Sequence, residues 1–253
     1  MVKAKKHLGQ HFLKDETIAK KIADGISSMH LPLLEIGPGT GVLTQYFYDK
    51  PNFYAAEVDQ ESVEYLIATY PQMSLRLMEG DVLRMNLKEK FDGKFNIIGN
   101  FPYNISSQIF FMVLDYKDQV DEVVCMIQKE VAERIAEPPG SKTYGILSVL
   151  LQAYYDIEYL FTVHEHVFDP PPKVKSAVIR LRRNNTESID CDQKAFFRIV
   201  KMAFGQRRKT LRNSLKAEIA GREDISELEV FNLRPERLSV QDFVSLTKLL
   251  TNK

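Results

Sequence analysis

The sequence predicts an α/β protein: a Rossmann-like, mostly parallel sheet with an antiparallel edge strand, followed by a small all-helical domain. Three observations carry this expectation. The apolar run Leu31 to Ile36 leads straight into the glycine loop Gly37-Pro38-Gly39-Thr40-Gly41, the opening of a nucleotide-binding α/β unit. Strand-like and helix-like hydrophobic periods then alternate as far as Leu181. Beyond the polar stretch Asn184 to Asp190 only helical patterns remain, so the boundary is placed there, giving domains 1–183 and 184–253.

Composition sets the outer bounds. With 253 residues, 44% hydrophobic and 27% charged, the chain has room for one domain and an appendage, and no apolar run reaches membrane-spanning length. The basic start Met1 to Lys6 is not followed by the apolar segment of a signal peptide, so a cytoplasmic protein without a membrane partner is expected. Two cysteines, Cys125 and Cys191, make neither a disulfide framework nor a metal cluster. The formal net charge is zero, so a polyanionic partner has to be sought in local clusters. One is Lys3, Lys5, Lys6 and Lys14. Another runs from Lys201 to Lys216 without an acid and contains Arg207, Arg208, Lys209 and Arg212.

In chain order, Asp15 to Ser28 has apolar residues at helical spacing, and Val42 to Tyr48 reads as the helix behind the glycine loop. The loop is G-x-G-x-G rather than the G-x-G-x-x-G that seats a pyrophosphate, and no Walker lysine follows. That points to S-adenosylmethionine, which has no phosphate. Asn52 to Val58 is a strand delivering Glu57, placed to accept from ribose hydroxyls, and Gln60 to Tyr70 a helix. Met73 to Met78 is a strand delivering Asp81, placed to accept from an adenine amine. Singly, Glu57 reads equally well as a helix-flanking acid and Asp81 as a turn residue.

The next strand, Lys94 to Gly99, ends in Asn100-Phe101-Pro102-Tyr103. Proline ends ladder bonding and holds the residue before it extended. An amide oxygen, free backbone carbonyls and an aromatic ring together suit one task, holding a planar base by its exocyclic amine. Helix Ile105 to Tyr116, strand Glu122 to Ile127 and helices Lys129 to Glu137 and Tyr144 to Tyr155 follow. A strand pair, Ile157 to Val163 and Val174 to Leu181, is joined by the stiff Phe168-Asp169-Pro170-Pro171-Pro172 segment, which either presents Phe168 at the site edge or is a rigid connector. His164 and His166 have no third ligand nearby and are read as exposed or structural. The tail has helices Gln193 to Phe204, Thr210 to Ile219 and Val240 to Leu250, the last with Ser239 and Asp242 as a capping box. If the basic run itself is helical, Arg208 and Arg212, four apart, share a face suited to phosphates, with Arg207 and Lys209 to either side.

Six ordered motifs carry a resemblance over essentially the whole chain: Gly9-Gln10-His11-Phe12-Leu13, Glu35 to Gly41, Asn100 to Ser106, Gln128 to Val131, Phe168 to Val178 and Gln206 to Leu215. The chain resembles the KsgA-type family of small-subunit ribosomal RNA adenine N6-dimethyltransferases. The resemblance implies an S-adenosylmethionine-dependent methyltransferase domain plus a helical RNA-binding domain. It implies transfer of four methyl groups to two adjacent adenines in a hairpin near the 3′ end of small-subunit (16S) rRNA, within an immature 30S particle, by a monomer with a role in subunit biogenesis. By position it assigns His11, Leu13, Gly37, Glu57, Asp81 and Asn100 to the cofactor, Asn100, Phe101 and Tyr103 to the target base, and Arg207, Arg208, Lys209 and Arg212 to RNA. His11 stands where the family more often has Asn, and Phe101 where it more often has Leu. Two other readings stay open: an Erm-type methyltransferase of large-subunit rRNA, and a non-catalytic ribosome-assembly factor.

Overall fold

A computed structural model describes residues 2–251. The chain divides into two compact units, one of Met1–Ala132 with Asp156–Arg183 and one of Glu133–Tyr155 with Asn184–Lys253. The break after residue 183 falls at the polar stretch. The segment Glu133–Tyr155, expected in the first domain, instead belongs to the helical unit. Its helix is apolar on nearly every side, with Leu147, Val149, Leu150 and Leu151 all buried, and such a helix needs cover that a sheet edge alone does not give.

The elements of the first unit are β1 (Phe12–Leu13), α1 (Glu16–Ala23), β2 (Leu33–Ile36), β3 (Phe53–Glu57), α2 (Gln60–Thr69), β4 (Leu77–Glu79), α3 (Leu87–Lys90), β5 (Phe95–Asn100), α4 (Ser106–Asp115), β6 (Val120–Gln128), β7 (Tyr155–Val163), β8 (Phe168–Asp169) and β9 (Ser176–Arg183). Helix α5 (Lys129–Ala136) follows β6 directly. The sheet has seven strands in the order β4-β3-β2-β5-β6-β9-β7. Strands β4 to β6 pair parallel and β9 antiparallel to β6, as the hydrophobic pattern predicts. Both faces of β2 and β5 are covered, so apart from buried Glu35 and Asn96 their interior positions are apolar or glycine rather than alternating with polar ones. They also lie very close: a Cβ on Gly99 would sit 2.5 Å from the Ile36 carbonyl oxygen, which leaves glycine as the residue for that position.

Two local expectations are corrected, and one element that the sequence did not announce is added. Val42 to Tyr48 is a run of turns with a 3-10 segment, Thr44–Tyr46, and not an α-helix. The tight bonds Tyr46 N to Leu43 O and Phe47 N to Thr44 O interrupt the isolated α-type bonds Gln45 N to Gly41 O and Tyr48 N to Thr44 O, and the Thr44 hydroxyl donates to buried Glu35 at 2.7 Å. Strand β4 starts only at Leu77, because Pro71–Met73 forms a 3-10 turn. Beyond the sheet, β1 and β8 make a two-stranded antiparallel ribbon, Phe12 facing Asp169 and Leu13 facing Phe168, between segments too short to show a period.

The second unit is helical apart from the end of β7: α6 (Ile146–Gln152), α7 (Gln193–Gly205), α8 (Leu211–Ser214), α9 (Lys216–Ile219), α10 (Glu223–Ser226) and α11 (Val240–Thr251). Its core gathers Tyr144, Phe204 and Phe243, with ring centroids 6.1 and 5.9 Å apart. The capping box of α11 is present, Ser239 N donating to Asp242 at 2.9 Å and Asp242 N to the Ser239 hydroxyl at 3.2 Å. Thr210 to Ile219 is two four-residue helices broken at Leu215 (φ −107°, ψ 19°). No helix among the described residues is long and apolar enough to cross a membrane.

Glu35 gives the sheet a pH dependence. Full burial raises its carboxyl to about 8, against the bond from Thr44 and aided by the negative charge of Glu57. Its folded value is above the unfolded one. The stability carried by the protonated form is therefore complete below about pH 4.5 and is lost as pH rises toward 8. Glu35→Gln should remove this component. In thermal melts the wild type should lose on the order of a few kcal/mol relative to Glu35→Gln between mildly acidic and mildly alkaline pH, whereas parallel curves would mean that Glu35 is not a buried acid.

Candidate functional site

A cleft opens at the carboxyl ends of β2, β3, β4 and β5, the edge where sheets of this kind bind ligands. Gly37, Glu57, Asp81 and Asn100 line it from four successive strand ends, and the N-terminal residues Gln10 and His11 close its side. All these residues belong to the first unit.

Glu57 is 3% exposed, and backbone N–H groups hold both of its carboxylate oxygens. Gly39 N donates to Oε2, and Val58 N and Asp59 N to Oε1, each at 2.9 Å. Burial raises its pKa, with these three bonds opposing. The glycine loop is thereby tied to β3. Gly39 (φ +55°) must be glycine here, since an added Cβ would stand 2.8 Å from the Phe12 ring. Asp81 begins a 3-10 turn, its Oδ1 accepting from Leu83 N at 3.0 Å and its Oδ2 lying 3.5 Å from Arg84 Nε. It is both the turn residue and a wall of the cleft. Ile36, Ala56, Val58 and Val82 supply apolar surface, and among the described residues no Lys or Arg lines the cleft. Two lining acids, with the nearest cation, Arg84, behind Asp81 and outside the lining, suit a nucleoside with a positively charged tail and disfavour a pyrophosphate. S-adenosylmethionine, with ribose hydroxyls, an adenine amine and a sulfonium charge, fits that donor and acceptor set.

At the far wall the Asn100 side chain is oriented by the N-terminal arm, Nδ2 donating to the His11 carbonyl at 2.9 Å. With the amide nitrogen committed, Oδ1 is the remaining acceptor. The Phe101 ring is buried, edge-on to Phe110 with centroids 6.0 Å apart, while its backbone borders the cleft. No backbone N–H of the described residues donates to the Phe101 carbonyl. Tyr103 is half-buried, its hydroxyl bonded to the buried Ser176 hydroxyl and its ring 5.3 Å from that of His11. Burial raises its phenol pKa, with the Ser176 bond opposing. His11 Nδ1 meets the Pro170 carbonyl at 2.7 Å.

Sequence reasoning missed the latch that holds the arm. The ammonium of Lys5 pairs with Asp59, Gln10 Nε2 reaches the same carboxylate at 3.3 Å, and Lys5 N donates to Gln10 Oε1 at 2.8 Å. Burial pushes the Asp59 pKa up, but the bonds from Lys5 and Gln10 outweigh it and hold the carboxyl below its usual range. The only available signal was an acid two residues after Glu57, which reads as a helix cap and is one, accepting from Glu61 N at 3.3 Å. Leu13, expected at the cofactor, is 3% exposed and packs in the sheet core with Ile22, Met126 and Phe168. Phe168 is likewise buried and is not at the site edge. Alternation along β1 turns Leu13 inward beside outward Phe12. His164 and His166 are exposed, 5.9 Å apart, and among the described residues belong to no metal-sized cluster.

The basic run in the second unit is also corrected. Arg207, Arg208 and Lys209 lie in a turn between α7 and α8, so Arg208 and Arg212 share no helix face. Arg212 faces its own unit. It donates to the Ser226 carbonyl and, at 3.1 Å, to Asn232 Oδ1, and lies 3.6 Å from Glu227. Arg207 donates to the Lys142 carbonyl, while Arg208 and Lys209 are exposed.

Fold and cleft define a class, the Rossmann-like S-adenosylmethionine-dependent methyltransferases. The sequence model described as "Ribosomal RNA adenine dimethylase" matches residues 1–251, and the chain belongs to that family. It is 56% identical over 257 residues, all of this chain and 99% of the other, to the Ribosomal RNA small subunit methyltransferase A of Cytophaga hutchinsonii. It is 58% identical over 250 residues to the protein of that name from Bacteroides thetaiotaomicron, covering 98% of this chain and 94% of the relative. Among solved structures, a dimethyladenosine transferase from Plasmodium falciparum superposes with a TM-score of 0.76 at 23% identity, covering 93% of this chain and 96% of the other. The 23S rRNA methyltransferase ErmE does so at 0.62 and 24%, covering 92% and 98%. These two likenesses show the shared fold.

Arg212 separates structure from binding. Arg212→Ala should lower stability by about 0.5 to 1.5 kcal/mol, the net worth of hydrogen bonds whose acceptors water can still reach. Thermal melts would check this, and an unchanged midpoint would free the residue for another role.

Proposed function

We propose that the protein transfers methyl groups from S-adenosylmethionine to N6 of two adjacent adenines in a hairpin near the 3′ end of small-subunit rRNA, giving N6,N6-dimethyladenosines. It acts as a monomer on an immature 30S particle. The observation that carries the reading is Asn100, whose amide nitrogen is held by His11 so that Oδ1 and the Phe101 carbonyl are left as acceptors beside the Tyr103 ring. The 56 to 58% identity to proteins named for the small subunit supports that substrate over the large-subunit alternative.

The bound cofactor supplies an electrophilic methyl group. The chain's residues prepare the nucleophile. An adenine amine has its lone pair delocalised into the ring. Accepting its two N–H bonds at Asn100 Oδ1 and the Phe101 carbonyl localises that pair and stabilises the positive charge that develops on nitrogen. One proton then leaves to solvent, restoring a neutral amine able to accept a second methyl. Tyr103 stacks on the base, which must leave its own stack to reach the cleft. Glu57 accepts from the ribose hydroxyls, and Asp81 from the cofactor's adenine amine. Leu13 and Arg212 have no part. Phosphate contact falls to exposed Arg208 and Lys209, with Arg207 beside them.

Incubating the protein with labelled cofactor and either ribosomal subunit from a strain lacking this methylation tests the reading. Label should appear as dimethyladenosine in small-subunit rRNA. Label in large-subunit rRNA would favour an Erm-type activity, and none at all would favour a binding factor.

Two variants probe the mechanism. Asn100→Ala should cut turnover by about a hundredfold or more, the scale of one lost charge-stabilising group, with folding and RNA binding retained. Near-normal turnover would remove Asn100 from the chemistry. Tyr103→Phe should keep most activity, at some cost in stability from the orphaned Ser176 hydroxyl, while Tyr103→Ala should lose most of it, stacking being worth about 1 to 3 kcal/mol. Equal damage from both would assign the role to the hydroxyl instead.

For the second unit, Arg208→Gln with Lys209→Gln should flatten the salt dependence of RNA affinity by one to two units, about one per phosphate released, without moving the melting midpoint. An unchanged slope would make the turn an ordinary solvated surface.

A further inference from the structure

We propose that the first unit carries its own phosphate grip: Lys173 and Lys175 hold phosphates beside the target nucleotide, with Val174 against the strand between them. This rests on the reading that the site acts on RNA. The stretch between buried Phe168 and buried Ser176 passes the wall formed by His11 and Tyr103, and it is fastened at both ends. At one end the Pro170 carbonyl meets His11 Nδ1 at 2.7 Å. At the other, the Lys175 carbonyl accepts from Lys129 N at 2.9 Å, and the next residue, Ser176, bonds the Tyr103 hydroxyl. Pro170, Pro171 and Pro172 remove most of the remaining freedom, and Pro172 is itself buried.

Between these anchors Lys173, Val174 and Lys175 are all exposed, Val174 to 40%. No carboxylate of the described residues pairs with either ammonium. The acids nearest in this part of the chain, Glu165 and Asp169, precede the three prolines. Two cations on either side of an apolar side chain match a nucleic-acid strand, whose phosphates alternate with less polar ribose and base. The two lysines stand at most about 7 Å apart along the backbone, within reach of neighbouring phosphates on one strand.

Electrostatics supply the need. The cleft is walled by Glu57 and Asp81, and among the described residues no basic side chain lines it, Arg84 standing behind Asp81, so it disfavours the backbone of the base it is to receive. Cations fixed to the segment that also fixes Tyr103 offset that repulsion at the place where the base enters. Because this segment is tied to the aromatic wall, the contact sets where the strand lies as well as how tightly it binds.

The test uses the full chain carrying Lys173→Gln and Lys175→Gln, with small ribosomal subunits that lack the methylation as the RNA probe. Subunit affinity is measured across a salt series by filter binding, and cofactor affinity by calorimetry. The salt slope should flatten by one to two units and affinity should weaken about tenfold or more at physiological salt. Cofactor affinity should be unchanged. Replacing both lysines by Arg should restore slope and affinity. An unchanged slope with intact cofactor binding would overturn the proposal, as would an Arg pair as impaired as the Gln pair, since the loop's shape rather than its charge would then be at work. Binding is read apart from methylation. A wild type that binds the subunit without methylating it defeats the proposed reaction, while the grip is still decided by the slope.

Discussion

The reaction edge depends on one hydrogen bond, from Asn100 Nδ2 to the His11 carbonyl. It joins the end of a central parallel strand to an N-terminal arm that has no place in the sheet. Asn100 alone is a side chain with free torsions. Bonded to His11, it presents its oxygen in one orientation, the pre-orientation that the proposed role of a single neutral acceptor requires. The arm needs fixing in turn, at one end by the Lys5 and Gln10 bonds to Asp59 and at the other by the ribbon of β1 with β8. Asp59 N also holds Glu57, so the acid proposed to meet the cofactor shares a support with the arm.

Charge is divided by location. The cleft is acidic, which suits a sulfonium cofactor and disfavours pyrophosphates, while exposed cations stand elsewhere: Lys173 and Lys175 in the first unit, Arg208 and Lys209 in the second. For a chain of zero net charge, local clusters of this kind, rather than a basic total, are where the proposed hold on RNA would lie. Several other charges are spent internally. Arg212 satisfies carbonyl and amide oxygens of its own unit, and Lys5 neutralises a buried carboxylate.

Much of this was legible in the residues alone. Strands β2, β3 and β5 are short apolar runs ending in glycine or polar residues, and the rule that parallel sheets bind ligands at their carboxyl edge brought Gly37, Glu57, Asp81 and Asn100 together before any coordinates did. Such features are local: a hydrophobic period, a left-handed glycine and a proline stop act within a few residues of themselves. The capping box at Ser239 and Asp242 was read correctly for the same reason.

Only the tertiary structure decided which way each side chain faces and what it meets. Leu13 and Phe168 turn into the core because two-residue strands, far too short for a period, pair with each other across more than half the chain. The helical pattern from Thr210 breaks at Leu215, and Arg212 bonds residues well downstream of it. Glu133–Tyr155 joins the second unit although a sheet strand follows it in sequence. Asp59 and Ser176, ordinary residues in the sequence, orient the arm and the aromatic wall through partners many tens of residues away. A sequence carries the periods that make elements, but partner choice between distant segments is settled by packing and by the need of each buried polar group for a bond, and neither leaves a local trace.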